Sequence, residues 1–395
     1  MENTLPIIEL IHTKYGKVGI MAIDQTINGR CCGGVRFSEN NGISINEIKK
    51  LAENMTLKFG FLKIDPRGGC KLSISIGGEI KYDRKELFYG IGDFLKKFLK
   101  NNTLALGIDL GTNEVDLSCI YRGAGFKKET VPILNSPYYT AKSVFIAVDV
   151  VREMLGLKNS VVNIGVEGLG KVGIEIVRLS SVYNCKVIAV SNKYHGLYNQ
   201  AGLNLNSMVR GYNKLGDEFI LHHKDGQKIS KEELFYAAGL DILIPCADFS
   251  TLKVEIAHRL KAKAVVPGAN LPAEKDVRKC LFDRGIIYFP DFIANSGGVF
   301  GTVLANFRIS GKKIDRMFEE GLRLKMQRCL MEAQEKRTEP FSYAKAVAIR
   351  GFLELKKQYE TNLGKSIFNN NFTAYLKQTG LGKKIIGSYI SRTFK

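Results

Sequence analysis

A glycine-rich stretch at residues 161–196 constrains the fold of this 395-residue chain more than any other feature. An apolar run precedes three glycines, Gly168, Gly170 and Gly173, which have the spacing G-x-G-x-x-G. Apolar residues then recur with a helical period, and a second apolar run follows. This order predicts a strand, a tight turn, a helix and a parallel strand, which is the context of a dinucleotide-binding fingerprint. Three glycines in an ordinary surface loop are the alternative, which the flanking strands disfavour.

Each glycine of the fingerprint has a separate physical role. Gly168 permits the turn, Gly170 lets backbone N–H groups approach a pyrophosphate, and Gly173 lets the helix and the strand pack closely. The phosphates would lie at the N-terminus of the helix. The predicted phosphate-binding segment is Gly168, Leu169, Gly170, Lys171, Val172 and Gly173.

After the second apolar run comes Asn192, where NAD-binding folds usually carry an acid for the ribose hydroxyls. An amide can accept a hydrogen bond from ribose without repelling a 2′-phosphate. Lys193 follows, either as a phosphate ligand or as a solvated loop lysine. The cofactor is therefore expected to be NAD or NADP.

The length of the chain predicts two domains. No apolar run approaches the roughly 20 residues of a membrane span. The N-terminus is too polar for a signal peptide, and we expect a cytoplasmic protein. Eight cysteines without a C-x-x-C pair predict reduced thiols and no metal site.

The formal net charge of +19 could attract nucleic acid, membranes or anionic cofactors. Residues 356–395 are strongly basic, with the single acid Glu360. A solvated extension is favoured over a nucleic-acid-binding arm, because no RGG or helix-turn-helix signature is present. We therefore expect neither a nucleic-acid nor a membrane partner.

The N-terminal part contains a helix with a lysine on its apolar face. Ser44 and Glu47 form an S-x-x-E capping box, and the apolar stripe continues from Leu51 through Met55 to Lys58. Lys58 either snorkels to the surface or points its ammonium group into a cleft that receives an anion. Lys71 follows two glycines at the entrance of an alternating strand. Two ammonium groups in one pocket would lower each other's pKa.

Asp109 lies near the end of the apolar run at residues 104–110. It could cap the following segment or, beside two lysines, act as a proton-transfer group.

Apolar segments at residues 241–244, 264–266 and 286–289 alternate with charged helix-like segments after the fingerprint. This alternation predicts a doubly wound parallel sheet, and ligands bind at the carboxyl ends of such strands. The residues at those ends are Cys246, Ala247, Asn270 and Asn295. The fold class is thus α/β with two domains, an N-terminal α/β substrate domain and a Rossmann-type doubly wound dinucleotide-binding domain.

Several motifs together resemble the glutamate/leucine/phenylalanine/valine type of amino-acid dehydrogenase, and most closely its leucine/phenylalanine/valine branch. The similar motifs are Gly33-Gly34-Val35-Arg36, Met55-Thr56-Leu57-Lys58, Gly68-Gly69-Cys70-Lys71, Asp109-Leu110-Gly111-Thr112, Gly268-Ala269-Asn270 and Pro290-Asp291 through Gly298. The resemblance runs from about residue 32 to residue 355.

The resemblance implies oxidative deamination of an L-amino acid to a 2-oxo acid and ammonia, and the reverse reaction, with hydride transfer to NAD(P). It implies that Lys58 holds the α-carboxylate, Lys71 activates water and Asp109 moves protons. It further places Asn270 at the substrate, and Thr140 and Asn295 near the nicotinamide. We expect Cys32, Gly33 and Gly34 at the substrate. Because ligands bind at the strand ends, we also expect Asn270, Cys246 and Ala247 beside the cofactor. A homo-oligomer is expected.

The domain boundaries expected on this basis are residues 1–137 for the substrate domain and 138–331 for the NAD(P)-binding domain. Residues 332–355 are expected to form helices that return to the first domain, and residues 356–395 a basic extension. The pattern predicts a charged amphipathic helix over residues 311–337 and an alanine-rich helix over residues 343–355. Closure of the two domains over the ligands is also expected.

Cys32 bears on the choice of substrate. Members of the family that act on glutamate usually carry a lysine directly before the glycine pair, and without it a buried γ-carboxylate would be unpaired. We therefore predict an apolar or aromatic amino acid. The alternatives are a glutamate dehydrogenase and a catalytically retired cofactor- or nucleic-acid-binding protein. The second alternative is motivated by Asp65 as an extra residue, by Arg67 and Lys142 at unusual positions, and by the basic tail.

Overall fold

The computed structural model describes residues 6–39, 42–77, 80–127, 136–306 and 309–360. The chain divides into two compact units, with one boundary near residue 134 and another between Val347 and Ala348. The first unit contains the described residues before the first boundary and after the second, and the second unit contains those between them.

The first unit is built on a five-stranded mixed sheet. Its strands are β1 (Ile7–His12), β2 (Gly16–Ile23), β3 (Cys31–Ser38), β4 (Gly68–Ser75) and β5 (Leu104–Ile108). Its helices are α1 (Ile45–Leu62), α2 (Arg84–Phe94), α3 (Lys96–Lys100) and α4 (Glu114–Gly123). The strand order is β1-β2-β4-β3-β5, in which β3 pairs in parallel with both β4 and β5.

Helix α1 begins where the sequence predicts, because the Ser44 hydroxyl accepts a hydrogen bond from the N–H of Glu47 at 3.2 Å. The helix ends at Lys63, which adopts the left-handed conformation with φ of 54°. Its buried side includes Ile48, Leu51 and Ala52 and packs on β4. Contact with β4 is close, since a methyl group added to Gly69 would lie 2.2 Å from the carbonyl oxygen of Ala52.

The second unit contains a seven-stranded sheet. Its strands are β6 (Val162–Glu167), β7 (Cys185–Ser191), β8 (His195–Tyr198), β9 (Gln227–Ser230), β10 (Ile242–Pro245), β11 (Ala264–Val265) and β12 (Ile287–Tyr288). Its helices are α5 (Ser136–Met154), α6 (Lys171–Leu179), α7 (Leu205–Leu215), α8 (Phe219–His222), α9 (Val254–Arg259), α10 (Lys275–Asp283), α11 (Asp291–Ala294), α12 (Gly297–Asn306), α13 (Gly311–Arg316) and α14 (Arg323–Glu335).

The strand order of this second sheet is β12-β11-β10-β6-β7-β8-β9. The five strands from β12 to β7 are parallel, as predicted for a doubly wound sheet. The antiparallel strands β8 and β9 extend one edge and were not predicted. Each has four residues, too few for their apolar pattern to stand out from a loop.

The C-terminal helices differ from the prediction in two details. Residues 311–337 were expected to form one helix, but a π-helical segment, Met317–Leu322, separates α13 from α14. Helix α15 (Pro340–Glu360) is longer than the predicted 343–355 and contains the second boundary between the units. The rest of the predicted basic extension, residues 361–395, lies outside the described residues.

All eight cysteines are free thiols. Within the described part of the chain, no helix is long and apolar enough to cross a membrane.

Candidate active site

In the first unit, the charged residues predicted to be catalytic lie on one face of the sheet. Side chains alternate between the two faces of a strand, so residues two apart share a face. Cys32 is aligned with Gly69 and Ala105, and Gly34 with Gly107. This shared surface, here called the substrate face, comprises Cys32, Gly34 and Arg36 on β3, Gly69, Lys71 and Ser73 on β4, and Ala105 and Gly107 on β5.

Asp109 follows β5 directly and joins Lys71 and Arg36 on the substrate face. The Nζ of Lys71 donates a hydrogen bond to the carboxylate of Asp109. Arg36 Nε donates to the same carboxylate oxygen at 3.2 Å, and its Nη1 contacts Glu47 at 3.4 Å. Asn113, not Asp109, caps α4 by accepting hydrogen bonds from the N–H groups of Val115 and Asp116. The capping role considered for Asp109 is therefore wrong.

Charge and burial set the ionisation of this group. Burial alone would raise the pKa of Asp109, but Lys71 and Arg36 outweigh it and lower the pKa to about 2. The pKa of the Lys71 ammonium is lowered, because burial and the neighbouring charge of Arg36 together exceed the opposing effect of Asp109. Asp109 is thus an ionised acceptor, and Lys71 loses its proton more readily than an ordinary lysine.

The glycines predicted to contact substrate have tightly fixed surroundings. A methyl group added to Gly34 would lie 2.9 Å from Cβ of Asp109 and 3.1 Å from Nζ of Lys71. One added to Gly33 would lie 1.9 Å from the carbonyl oxygen of Cys70. Among the described residues, no atom lies within 4 Å of such a methyl group at Gly107, so they leave the substrate face open at that position.

Lys58 lies on α1, the helix that packs on β4. Only 5% of Lys58 is exposed, which rules out the alternative that this residue snorkels to the surface.

The second unit contains the glycine turn between β6 and α6, as the fingerprint predicts. Gly168 has φ of +87°, and a methyl group added there would lie 2.6 Å from Cα of Ala247. One added to Gly173 would lie 2.0 Å from the carbonyl oxygen of Gly168. Gly168 therefore serves the turn, and Gly173 the contact between helix and strand.

The residues at the start of α6 fit a bound pyrophosphate. Gly170 is the N-cap of α6, and no side chain caps the first N–H groups of the helix. Such N–H groups form an anion-binding site. In the part of the chain that the structure describes, no atom lies within 4 Å of a methyl group added to Gly170, so these residues leave the space in front of the helix open. The first N–H groups of α6 are those of Lys171, Val172 and Gly173.

Asn192, the predicted ribose contact, is 6% exposed and has its side chain engaged within the protein. Its Oδ1 accepts hydrogen bonds from the N–H groups of Tyr194 at 2.9 Å and His195 at 2.8 Å. Its Nδ2 donates to the carbonyl oxygen of Asp217 at 2.6 Å. Both lone pairs of Oδ1 are used, so contact with ribose would fall to the remaining N–H of Nδ2. Neighbouring Lys193 is solvated, 3.8 Å from Asp217.

The other predicted cofactor residues gather around the ends of the parallel strands of the second unit. Cys246 follows β10 and lies near Gly268, where an added methyl group would be 2.5 Å from its Sγ. Asn295 Nδ2 donates to the carbonyl oxygen of Ala269 at 2.8 Å and contacts Oδ1 of Asn270 at 3.2 Å. The Thr140 hydroxyl donates to the carbonyl oxygen of Ser136 at 2.9 Å.

Sequence reasoning missed Glu167, the last residue of β6 and the one before the glycine turn. It is 8% exposed and accepts a hydrogen bond from the hydroxyl of Thr251 at 3.0 Å. Burial, with a smaller contribution from Asp248, raises its pKa to about 7 although Thr251 acts to lower it. A carboxylic acid within an otherwise apolar strand, directly before G-x-G, was the signal that could have identified it.

Comparisons with known proteins identify the family of the chain. The family model described as Glutamate/Leucine/Phenylalanine/Valine dehydrogenase matches residues 133–362. The chain is 29% identical to glutamate dehydrogenase of Thermotoga maritima over 294 residues, which cover 69% of this chain and 68% of that protein. It is 29% identical to NADP-specific glutamate dehydrogenase of Saccharolobus shibatae over 296 residues, 68% of this chain and 66% of that protein. It is 29% identical to NAD-specific glutamate dehydrogenase of Clostridioides difficile over 287 residues, 68% of this chain and 67% of that protein. The matches thus span about two thirds of these relatives.

Solved structures show the same fold. Hetero-hexameric glutamate dehydrogenase from Thermus thermophilus, in its Leu-bound form, superposes with a TM-score of 0.76 at 20% identity, covering 91% of this chain and 90% of that one. L-Tryptophan dehydrogenase from Nostoc punctiforme superposes with a TM-score of 0.61 at 20% identity, covering 89% and 96% respectively. The family model covers more than half of the sequence, and the chain belongs to the Glutamate/Leucine/Phenylalanine/Valine dehydrogenase family.

Proposed function

We propose that this protein catalyses the oxidative deamination of an L-amino acid to its 2-oxo acid and ammonia, and the reverse reductive amination. The observation that carries the proposal is the contact of Lys71 with Asp109 on the substrate face, with Arg36 as a second cation. A buried lysine with a lowered pKa beside an ionised carboxylate forms a base and a proton carrier at one place.

The roles of the residues follow from their chemistry and from the family. Lys58 would hold the α-carboxylate by its positive charge. Lys71, when neutral, would take a proton from the water that attacks the imine carbon, and Asp109 would carry protons to and from the amino nitrogen. Gly33 and Gly34 would let the substrate approach the backbone of β3. Asn270 would orient the substrate.

NAD or NADP is the proposed cofactor, since relatives of both specificities match the chain. When bound, the nicotinamide accepts the hydride that leaves the α-carbon of the substrate. The N–H groups of Lys171, Val172 and Gly173 would hold the pyrophosphate, and Thr140 and Asn295 would lie near the nicotinamide. Leu169, Cys246, Ala247 and Asn192 are further proposed contacts.

The matching Thermus thermophilus enzyme is hetero-hexameric. We propose that this chain too forms an oligomer, in this case of identical subunits. Sedimentation analysis of the purified protein tests this point.

The substrate's side chain is the open part of the proposal. The sequence predicts an apolar or aromatic side chain, because Cys32 carries no charge. One observation favours the alternative of an acidic amino acid such as glutamate: the buried guanidinium of Arg67 lies close to Cys32.

A panel of amino acids tests the proposal directly. The purified chain is given each amino acid with NAD or NADP, and the absorbance of the reduced cofactor is followed. At least one amino acid should be oxidised, and Lys71→Gln should lower kcat by about a hundred-fold to ten-thousand-fold. A chain that binds cofactor but oxidises no amino acid would instead match the alternative of a retired scaffold.

A further inference from the structure

Arg67 is a buried cation, and one nitrogen of its guanidinium group makes no hydrogen bond with the described residues. It is 5% exposed, its Nε contacts Asp65 Oδ2 at 3.1 Å, and its Nη2 donates to Oδ1 of Asn102 at 2.9 Å. Its Nη1 is buried and has no hydrogen-bond partner among the described residues. An unsatisfied buried donor is costly, and such groups in native proteins call for an explanation.

The surroundings of Arg67 carry excess positive charge. Arg30 is also buried, at 8% exposure, and its Nε contacts the carbonyl oxygen of Asn102 at 3.4 Å. Burial lowers the pKa of Arg30, and the charge of Arg67 lowers it further. Among the described residues, two guanidinium groups thus lie near the carboxylate of Asp65. A buried excess cation is stabilised when an anion joins it.

Arg67 lies directly before β4 and near the substrate face. It precedes Gly69 by two residues and Lys71 by four, and each two-residue step along a strand is about 6.6 Å. Cys32, aligned with Gly69, lies between Arg67 and Lys71. Burial raises the pKa of the Cys32 thiol to about 12. The nearby guanidinium of Arg67 acts in the opposite direction and lowers this pKa.

We propose that Arg67 is a specificity-determining residue that binds the far end of the substrate's side chain and selects an amino acid whose side chain ends in a carboxylate. The proposal rests on the function proposed above. A side chain that starts at an α-carbon beside Lys71 and runs along β4 passes Cys32 and ends at Arg67. Its carboxylate supplies the acceptor that Nη1 lacks and balances the excess charge. Because Nη1 is buried in the unliganded protein, this contact requires the side chains that cover it to move when the acid binds.

Binding of two five-carbon acids tests this proposal without turnover. Glutarate has a carboxylate at each end, whereas pentanoate has one. Calorimetric titration of the full chain should show glutarate binding at least about ten-fold more tightly, the factor that a charge-assisted hydrogen bond supplies. The double variant Asp65→Asn, Arg67→Met removes both charges of the ion pair and leaves the net charge beside Arg30 unchanged, and it should abolish the preference. Cys32→Ala should retain it.

A matched control is the pair Asp149→Asn, Arg152→Met in the second unit. Side-chain exposure is 29% and 7% for this pair, against 21% and 6% for Asp65 and Arg67. The control should keep the preference for glutarate. Thermal unfolding monitored by circular dichroism verifies that each variant is folded, and Arg67→Lys should restore part of the preference in a folded protein.

Turnover separates this proposal from the proposed function. Oxidation of norleucine and methionine but not glutamate, unchanged in the double variant, would support the dehydrogenase and overturn the role of Arg67. Equal binding of the two acids by the wild-type chain would overturn it as well. A chain that prefers glutarate through Arg67 yet oxidises no amino acid would refute the dehydrogenase function alone.

Discussion

Arg36 changes the pKa values of Lys71 and Asp109. Its guanidinium lies on the same carboxylate oxygen that Lys71 contacts, so it competes with the lysine for that negative charge. It lowers the pKa of both groups, since it repels the ammonium and attracts the carboxylate. The proton equilibrium of the site thus depends on a residue to which the sequence assigned no role.

Replacing Arg36 by glutamine should move the acid limb of the pH profile. Without the guanidinium the pKa of Lys71 rises, so the neutral lysine needed for oxidative deamination appears only at higher pH. The acid limb of a plot of kcat/KM against pH should therefore move to higher pH. Arg84→Gln, which removes a pair with Asp116 elsewhere in the unit, is the control and should leave the limb in place. A downward shift would contradict the assignment of Lys71 as the base.

Gly170 and Gly173 should respond differently to alanine. At Gly170 the added methyl group has open space, so Gly170→Ala should unfold like the wild type but bind NAD(P) at least about ten-fold more weakly, a loss of about 1.4 kcal/mol. At Gly173 the methyl group would strike the carbonyl oxygen of Gly168, so Gly173→Ala should cost about 1–3 kcal/mol in stability. Cofactor titration and urea unfolding measure the two effects. Equal loss of stability in both variants would contradict this division of roles.

At the residue scale, local pattern located Lys71 and Asp109 because each lies beside a strand end or glycine pair. It could not foresee that Arg36 shares a face with them or that Arg67 lies near Cys32. That proximity depends on the register between β3, β4 and β5, which are far apart in sequence.

Among the elements, strand β6 ends in a buried acidic residue. Its last residue, Glu167, is a buried acid whose folded-state pKa of about 7 exceeds the ordinary value of 4.5. Such an acid is favoured in its protonated form in the folded protein. Its contribution to stability is complete below about pH 4.5 and is lost as the pH rises through 7.

Glu167→Gln should therefore stabilise the protein only at higher pH. An amide of the same shape can still accept the hydrogen bond from Thr251 and has no charge to bury. Near pH 8 we expect a gain of up to about 3 kcal/mol in the free energy of unfolding, and near pH 4 almost none. Urea unfolding at both values measures the difference. A gain of the same size at both would show that the carboxyl group titrates normally.

The predictable elements were those with a strong period or a cap. The parallel strands β6, β7, β10, β11 and β12 have apolar runs between turn signals, and α1 has its serine cap. The π-helical segment Met317–Leu322 could not be predicted, because one extra residue per turn leaves the hydrophobic pattern of the helix almost unchanged.

On the scale of the whole molecule, charge is unevenly distributed along the sequence. Residues 361–395 contain six lysines and arginines and no acid, so they supply six of the nineteen net positive charges. The family match ends at residue 362, which places nearly all of this segment outside it.

Deletion of residues 361–395 should leave kcat/KM for amino-acid oxidation unchanged. Any binding to duplex DNA should be weak and non-specific, and the slope of log affinity against log salt should fall by at most about five after deletion, from the loss of six cations. Fluorescence anisotropy across a salt series measures this slope. Tight binding that survives physiological salt and disappears on deletion would support the nucleic-acid alternative.

The division of the chain near residue 134 lies close to the predicted boundary at 137, while the second division falls within α15. The functional assignment of each unit remains a prediction. A continuous helix gives no sequence signal where one unit ends and the other begins, because its period does not change.

The openness at Gly107 has a consequence for engineering. Since no described residue fills the space next to an added methyl group at Gly107, alanine and then valine there would narrow the space above the substrate face in small steps. Activity measured across this series would show how wide an amino-acid side chain the site accepts. It offers a way to narrow the range of accepted compounds while the proton chemistry stays intact.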